Sequence, residues 1–137
     1  IGLPEDLALN DNGKRIEVGV DELASSNHPI NDIGLETIVA YSKEIEKSKT
    51  VVLNGPAGVS ENEDFALGTR EIIKAAAKAS YAIVGGGHIS AEVLNMGVED
   101  SFYHLSTAGG ACIDYLAGEK LPGVEILKDV AAKSKSK

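Results

Sequence analysis

A single cysteine, Cys112, and the lack of any run of about eighteen apolar residues set the first limits on this chain. One thiol excludes an intramolecular disulfide and suits a reducing, cytoplasmic setting. Without a long apolar run, no segment is expected to cross a membrane as a helix. Positive charge is also scarce: 13 Lys and Arg stand against 21 Asp and Glu, a formal net charge of −8. That balance argues against nucleic acid held on a broad basic face. The only basic run, Lys133-Ser-Lys-Ser-Lys137, reads as a solvated, flexible tail behind a folded part at 1–132. No secretory leader pattern, internal repeat or catalytic triad is visible, and the three histidines with Cys112 lack zinc-site spacing. Cys112 itself reads as a small buried hydrophobe near the start of a helix.

Apolar residues make up 43% of 137 residues, enough for one domain with a core. The pattern predicts a strand at Leu3–Leu9, a turn at Asp11-Asn-Gly-Lys14, and an alternating, half-buried strand over Arg15–Val20. A polar loop follows, broken by Ser25-Ser-Asn-His-Pro29. Ile38, Tyr41 and Ile45 recur at helical spacing and predict a helix over 34–47. Short, largely apolar strands are then expected at Thr50–Leu53, Tyr81–Val84 and Phe102–Leu105, with helices at 68–79, 88–95, 109–116 and 124–132. Helices alternating with short apolar strands predict an α/β fold, a parallel sheet with helices on both faces. The strand count is low for such a sheet and the chain opens on Ile1, so it is expected to be one piece of a larger domain.

Two strand-to-glycine-to-helix turns carry the functional signal: Tyr81-Ala-Ile-Val-Gly-Gly-Gly-His88 and Phe102-Tyr-His-Leu-Ser-Thr-Ala-Gly-Gly-Ala111. Residues without a Cβ let an anion approach the main chain. The helix after each turn offers unpaired N–H groups and the positive end of its dipole. Together with Asn54-Gly-Pro-Ala-Gly58, these turns should lie beyond the carboxyl ends of the strands, where open α/β sheets bind ligands. Two such turns suggest a polyphosphate. No Lys or Arg lies beside either, so any cations must come from elsewhere.

Five ordered segments resemble the nucleotide-binding half of phosphoglycerate kinase. They are Asn54-Gly-Pro-Ala-Gly-Val-Ser-Glu61, Phe65 with Gly68-Thr69, Gly85-Gly-Gly-His88, His104-Leu-Ser-Thr-Ala-Gly-Gly-Ala111 and Gly118-Glu-Lys-Leu-Pro-Gly-Val124. Leu3-Pro-Glu-Asp6 and Asp32-Ile-Gly-Leu-Glu-Thr37 extend the likeness over nearly the whole chain, and His88, where many members have Asp, is similar to the archaeal branch. The resemblance implies the C-terminal part of a two-domain, Rossmann-like kinase. That enzyme transfers a phosphoryl group between ATP and 3-phosphoglycerate, with 1,3-bisphosphoglycerate and ADP on the other side and Mg²⁺ present. It further implies that the phosphoglycerate site and the phosphate-binding lysines lie outside this chain.

By position, the resemblance places Asn54, Gly55 and Pro56 at the adenosine end and Glu61 on the ribose hydroxyls. Gly85, Gly86, Gly87 and His88 fall by the nucleotide phosphates, beside Thr107 and Ala108, and Gly109 and Gly110 donate N–H groups to the phosphoryl group in flight. Ala108 stands where the family has glycine. If that position needs a positive φ, its Cβ costs about 1–2 kcal/mol.

The residues by themselves leave two other readings. In a dinucleotide-binding oxidoreductase, Gly85-Gly-Gly-His-Ile-Ser90 would need the third glycine of G-x-G-x-x-G and an acidic residue about twenty positions on, and has neither. A non-catalytic nucleotide-binding or interaction module fits the glycine turns as well as an enzyme does. The absence of an acid/base dyad suits phosphoryl transfer to a carboxylate, which positioning and electrostatics accomplish.

Overall fold

The computed structural model describes residues 1–134. Strands β1 (Asp6–Asp11) and β2 (Lys14–Gly19) form an antiparallel hairpin, with Asp6 opposite Gly19 and Asp11 opposite Lys14. Its turn residues, Asn12 and Gly13, have φ of 52° and 91°. Positive φ at both positions matches the twist of the flanking strands. The Gly13 N–H donates to Asn10 Oδ1 at 2.6 Å.

A third strand, β3 (Ile30–Ile33), pairs antiparallel with the other side of β1, with a register slip between Ala8 and Leu9. The residue pattern predicts only a polar loop before the first helix. Ile30-Asn-Asp-Ile33 is too short and polar to show a period, and pairing with β1 is what makes it a strand. The result is an antiparallel sheet of order β2-β1-β3, of which the two strands and turn of the hairpin were expected and β3 was not.

The parallel sheet is present as expected. It runs β4 (Thr50–Asn54), β5 (Tyr81–Gly85), β6 (His104–Ser106), with Val51 beside Ala82 and Val84 beside Leu105. Five helices accompany the two sheets: α1 (Leu35–Lys47), α2 (Leu67–Ala76), α3 (Gly87–Asn95), α4 (Gly110–Leu116) and α5 (Pro122–Ser134). Lys133 and Ser134, expected in the tail, form the last turn of α5; the remainder of that tail, 135–137, lies outside the described residues.

Side chains alternate across the parallel sheet. Val51, Ala82 and Val84 point to one face, where Ile73 and Ala76 of α2 and Ile89 and Val93 of α3 close over them. Phe102, expected to begin β6, instead precedes it and fills this core. A second apolar cluster of Ile33, Ile38 and Ile72 joins β3, α1 and α2. The other face carries Tyr81 and Ile83 and is covered only in part, by α4. Tyr81 stacks on Tyr103 there, ring centroids 4.3 Å apart.

Two buried carboxylates tie the antiparallel sheet to helices α1 and α2. Asp6 caps α1 from outside the helix, accepting from the Glu36 and Thr37 amides at 3.0 and 2.8 Å and from the Thr37 hydroxyl at 2.6 Å. The helix's own N-cap, Gly34, has no side chain to do this. Burial pushes the Asp6 carboxyl upward most strongly of any single effect, but the Thr37 and Glu36 hydrogen bonds together hold it below its ordinary range. Asp32, with a fully buried side chain, accepts from Arg15 Nη1 at 2.8 Å and from the Gly68 N–H at 2.8 Å. Arg15 also donates to the Ile33 carbonyl at 2.8 Å, so its side chain joins β2 to β3, which do not pair directly.

Candidate functional site

The three parallel strands end together, and each runs into one of the glycine-bearing loops singled out in the sequence. At the end of β4, the Gly55 N–H donates to the Gly85 carbonyl at 3.2 Å; at the end of β5, the Gly86 N–H donates to the Ser106 carbonyl at 2.9 Å. These two bonds extend the sheet ladder into the loops and hold all three in register. Gly86 has φ 110°, a conformation closed to L side chains without strain, and a Cβ there would meet Gly55 N at 3.7 Å and Gly109 Cα at 4.0 Å. The chain can therefore turn from β5 into α3 while the three loops stay close. Asn54 Oδ1 lies between two of them, 3.2 Å from where a Gly85 Cβ would be and 3.6 Å from a Gly109 one.

Of the residues singled out from the sequence, the structure brings Asn54, Gly55, Gly85, Gly86 and Gly109 into one cluster. Gly87 and His88 open α3, and Gly110 opens α4 behind Gly109 as its N-cap. First-turn amides have no carbonyl one turn back to receive them, so both helix starts direct N–H groups at the same edge. Pro56, Thr107 and Ala108 are exposed in the loops after β4 and β6. Glu61 lies across from His88, Oε1 to Nε2 at 3.8 Å, both largely exposed, and the two share a recess of about 170 Å³ with Ser60, Glu92 and Asn95.

Ala108 corrects an expectation. Asn12 is the one non-glycine residue with positive φ among the described residues, so Ala108 occupies ordinary backbone space and its Cβ introduces no strain. Its N–H donates to Ser106 Oγ at 3.2 Å, closing a small turn that any residue with a backbone amide could make.

Sequence reasoning noted Asp32 and Thr69 only as parts of motifs and missed what they hold. Thr69, on the first turn of α2 and 1% exposed, accepts the amides of Ala57 and Gly58 at 3.0 and 3.2 Å. The Val59 N–H donates to the Asn31 carbonyl of β3 at 2.8 Å. Gly58 packs so closely on Asp32 that any Cβ would strike its carboxylate, and would come within 2.6 Å of the Phe65 carbonyl. On the far side of Glu61, Arg70 reaches both Glu63 and the buried Glu92 at 2.6 Å, linking the loop to α2 and α3. Pairing with both carboxylates raises the Arg70 guanidinium further above its ordinary range.

On the half-covered face of the sheet a groove of about 360 Å³ runs from Ser106 and Ala108 past Cys112 and Tyr115 to Tyr81. Cys112 lies near the start of α4 as expected, but it is half-buried and lines this groove rather than being the buried hydrophobe expected. His104 is exposed at the same groove. Among the described residues no three His, Cys, Asp or Glu side chains cluster to hold a metal ion. Likewise among the described residues, no helix is long and apolar enough to cross a membrane.

Residues 1–119 match the family model described as phosphoglycerate kinase. Among curated proteins, the chain is 72% identical over 128 residues to phosphoglycerate kinase 2 of Methanosarcina acetivorans, an alignment covering 93% of this chain and 31% of that protein. It is 49% identical over 131 residues to phosphoglycerate kinase of Archaeoglobus fulgidus, covering 96% of this chain and 32% of that one. Among solved structures, phosphoglycerate kinase from Coxiella burnetii superposes with a TM-score of 0.79 at 37% identity, covering 92% of this chain and 34% of the other. The Pyrococcus horikoshii structure gives 0.77 at 38%, covering 91% and 32%. The chain thus spans about a third of the length of the relatives it matches.

Proposed function

The chain belongs to the phosphoglycerate kinase family, and on that footing we propose that it supplies the ATP/ADP-binding part of a cytoplasmic enzyme. That enzyme exchanges a phosphoryl group between ATP and 3-phosphoglycerate. The observation that carries this reading is the meeting of the loops after β4, β5 and β6 at one sheet edge, pinned by the Gly55–Gly85 and Gly86–Ser106 backbone bonds. A carboxylate acceptor is already ionised at neutral pH, so the transfer asks for no general base, and an edge furnished with main-chain donors suits it.

In this reading Asn54, Gly55 and Pro56 line the adenosine end and the Glu61 carboxylate accepts hydrogen bonds from the ribose hydroxyls. The amides of Gly87 and His88 face the nucleotide phosphates, with Gly86 letting the chain turn beside them and Gly85 lining the turn beside Asn54. Thr107 and Ala108, exposed in the loop after β6, lie beside the phosphates in sequence order, and the Gly109 and Gly110 amides donate to the phosphoryl oxygens as charge shifts between donor and acceptor. Mg²⁺ would arrive coordinated to the nucleotide phosphates, as this ion is commonly held. The phosphoglycerate site belongs to the two thirds of the relatives that this chain does not cover.

Substituting the chain for the matching third of the Methanosarcina acetivorans relative tests the proposal. The chimera is expected to turn over ATP in the presence of 3-phosphoglycerate in a coupled assay. A folded chimera with no ATP-dependent turnover would overturn it.

A further inference from the structure

We infer that Thr69 is a positioning residue for nucleotide binding: its hydroxyl oxygen clamps the loop after β4 and so sets where Asn54 to Glu61 present themselves. The inference deepens the function proposed above and rests on it for the identity of the ligand. Thr69 lies in the first turn of α2, is buried, and accepts two consecutive loop amides, those of Ala57 and Gly58. A hydroxyl oxygen has two lone pairs, so both can be used for this. The amides come from a segment that is otherwise outside regular structure and largely exposed, and that leads through Val59 and Ser60 to Glu61 at the His88 recess.

Three further holds converge on the same few residues. The Asn31 carbonyl takes the Val59 N–H, Asp32 packs against Gly58, and Asp32 in turn takes the Gly68 N–H beside Thr69. Among these, Thr69 is the side chain that bonds the loop backbone directly, and no atom of it needs to reach a nucleotide. Removing the acceptor leaves two part-buried amides unpaired, which the loop can relieve only by moving toward water. Movement there displaces Glu61 and the Asn54–Pro56 turn, while α4 and the loop after β6 keep their places.

Thr69→Val keeps the shape of the side chain and removes the acceptor. In the chimera described above, it is expected to raise the KM for ATP about fivefold to tenfold, with kcat and the KM for 3-phosphoglycerate within about twofold of the parent. Thr69→Ser, which keeps the hydroxyl, is expected to restore the KM for ATP. In the 137-residue chain itself, amide exchange at Ala57 and Gly58 should quicken by about tenfold or more in the valine variant and not in the serine variant. A folded valine variant with unchanged KM for ATP overturns the inference, as does a serine variant as impaired as the valine one. If the valine variant does not fold, Thr69→Ala reports the same quantities. A parent chimera without ATP-dependent turnover defeats the function proposed above but not the clamp, which unchanged exchange at Ala57 and Gly58 would defeat by itself.

Discussion

The loop after β4 and the loop after β6 meet at the same sheet edge, yet they are held in opposite ways. The first is gripped by three residues of two elements: Asn31 and Asp32 of β3, and Thr69 of α2. The second is held largely by itself, through the Ser106 hydroxyl and the Ala108 main chain, 3.2 Å apart in both directions. A rigid loop suits a ligand part that only has to be recognised, such as a nucleoside. A lightly held one suits a group that must follow charge as it moves. The difference also shows where stability resides, because the first grip runs through buried charge and the second through an exposed turn.

The largest test of that contrast is Asp32→Ala. It takes from Arg15 the buried one of its two carboxylate partners, leaving only the more exposed Glu17 at 2.7 Å, and frees the Gly68 amide and the Gly58 contact together. Breaking a buried pair by removing one partner typically costs about 3–5 kcal/mol. Chemical denaturation should show a loss of that order, and a loss under about 1 kcal/mol would mean the first loop does not depend on this carboxylate.

Glu61→Ala comes next and acts on binding rather than folding. With its carboxylate largely exposed at the end of the gripped loop, its removal should weaken ATP binding about tenfold, roughly 1.4 kcal/mol, with little change in melting temperature. Unchanged affinity by calorimetry in the kinase chimera would remove Glu61 from the ribose site.

Asp6 provides a measure outside both loops. Its folded-state pKa lies below the unfolded value near 3.8, so the stability it contributes is complete above that pH and is lost as pH falls through the folded value. Asp6→Asn should therefore cost about 1 kcal/mol at neutral pH, as capping losses do, and flatten the acid limb of the stability profile below about pH 4. Parallel acid limbs for parent and variant would show that another carboxylate carries the effect.

The smallest effect is expected at Ala108. Since its backbone is unstrained, Ala108→Gly should leave turnover of the chimera within about twofold, or roughly 0.4 kcal/mol. A severalfold rise would show that the Cβ crowds the phosphoryl end after all, and that the second loop is less forgiving than its hydrogen bonds indicate.

Most of the parallel layer was legible from residue order. Thr50-Val-Val-Leu53 and Tyr81-Ala-Ile-Val84 are continuous apolar runs, and both are strands that share one buried face. The helical period of Ile38, Tyr41 and Ile45 located α1 to within a residue. The glycine segments could be placed at helix starts because a strand run, a turn of small residues and a helical period succeed one another without a gap. Local signals of this kind need no partner to be read.

The antiparallel sheet was only half legible. The Asp11-Asn-Gly-Lys14 turn announced the hairpin, but β3 has no period of its own and exists because β1 offers an edge. The grip on the first loop could not be read either, since Thr69 stands 11 and 12 positions from the amides it accepts and Arg15 stands 17 from Asp32. Composition and local order determined that this chain is an α/β unit with glycine turns fit for an anion. Which loop is tied to distant elements, which is held largely by its own hydrogen bonds, and that Ala108 has an ordinary φ were decided by tertiary structure. Those properties come from buried polar groups finding partners far along the chain, and only folding chooses the partner.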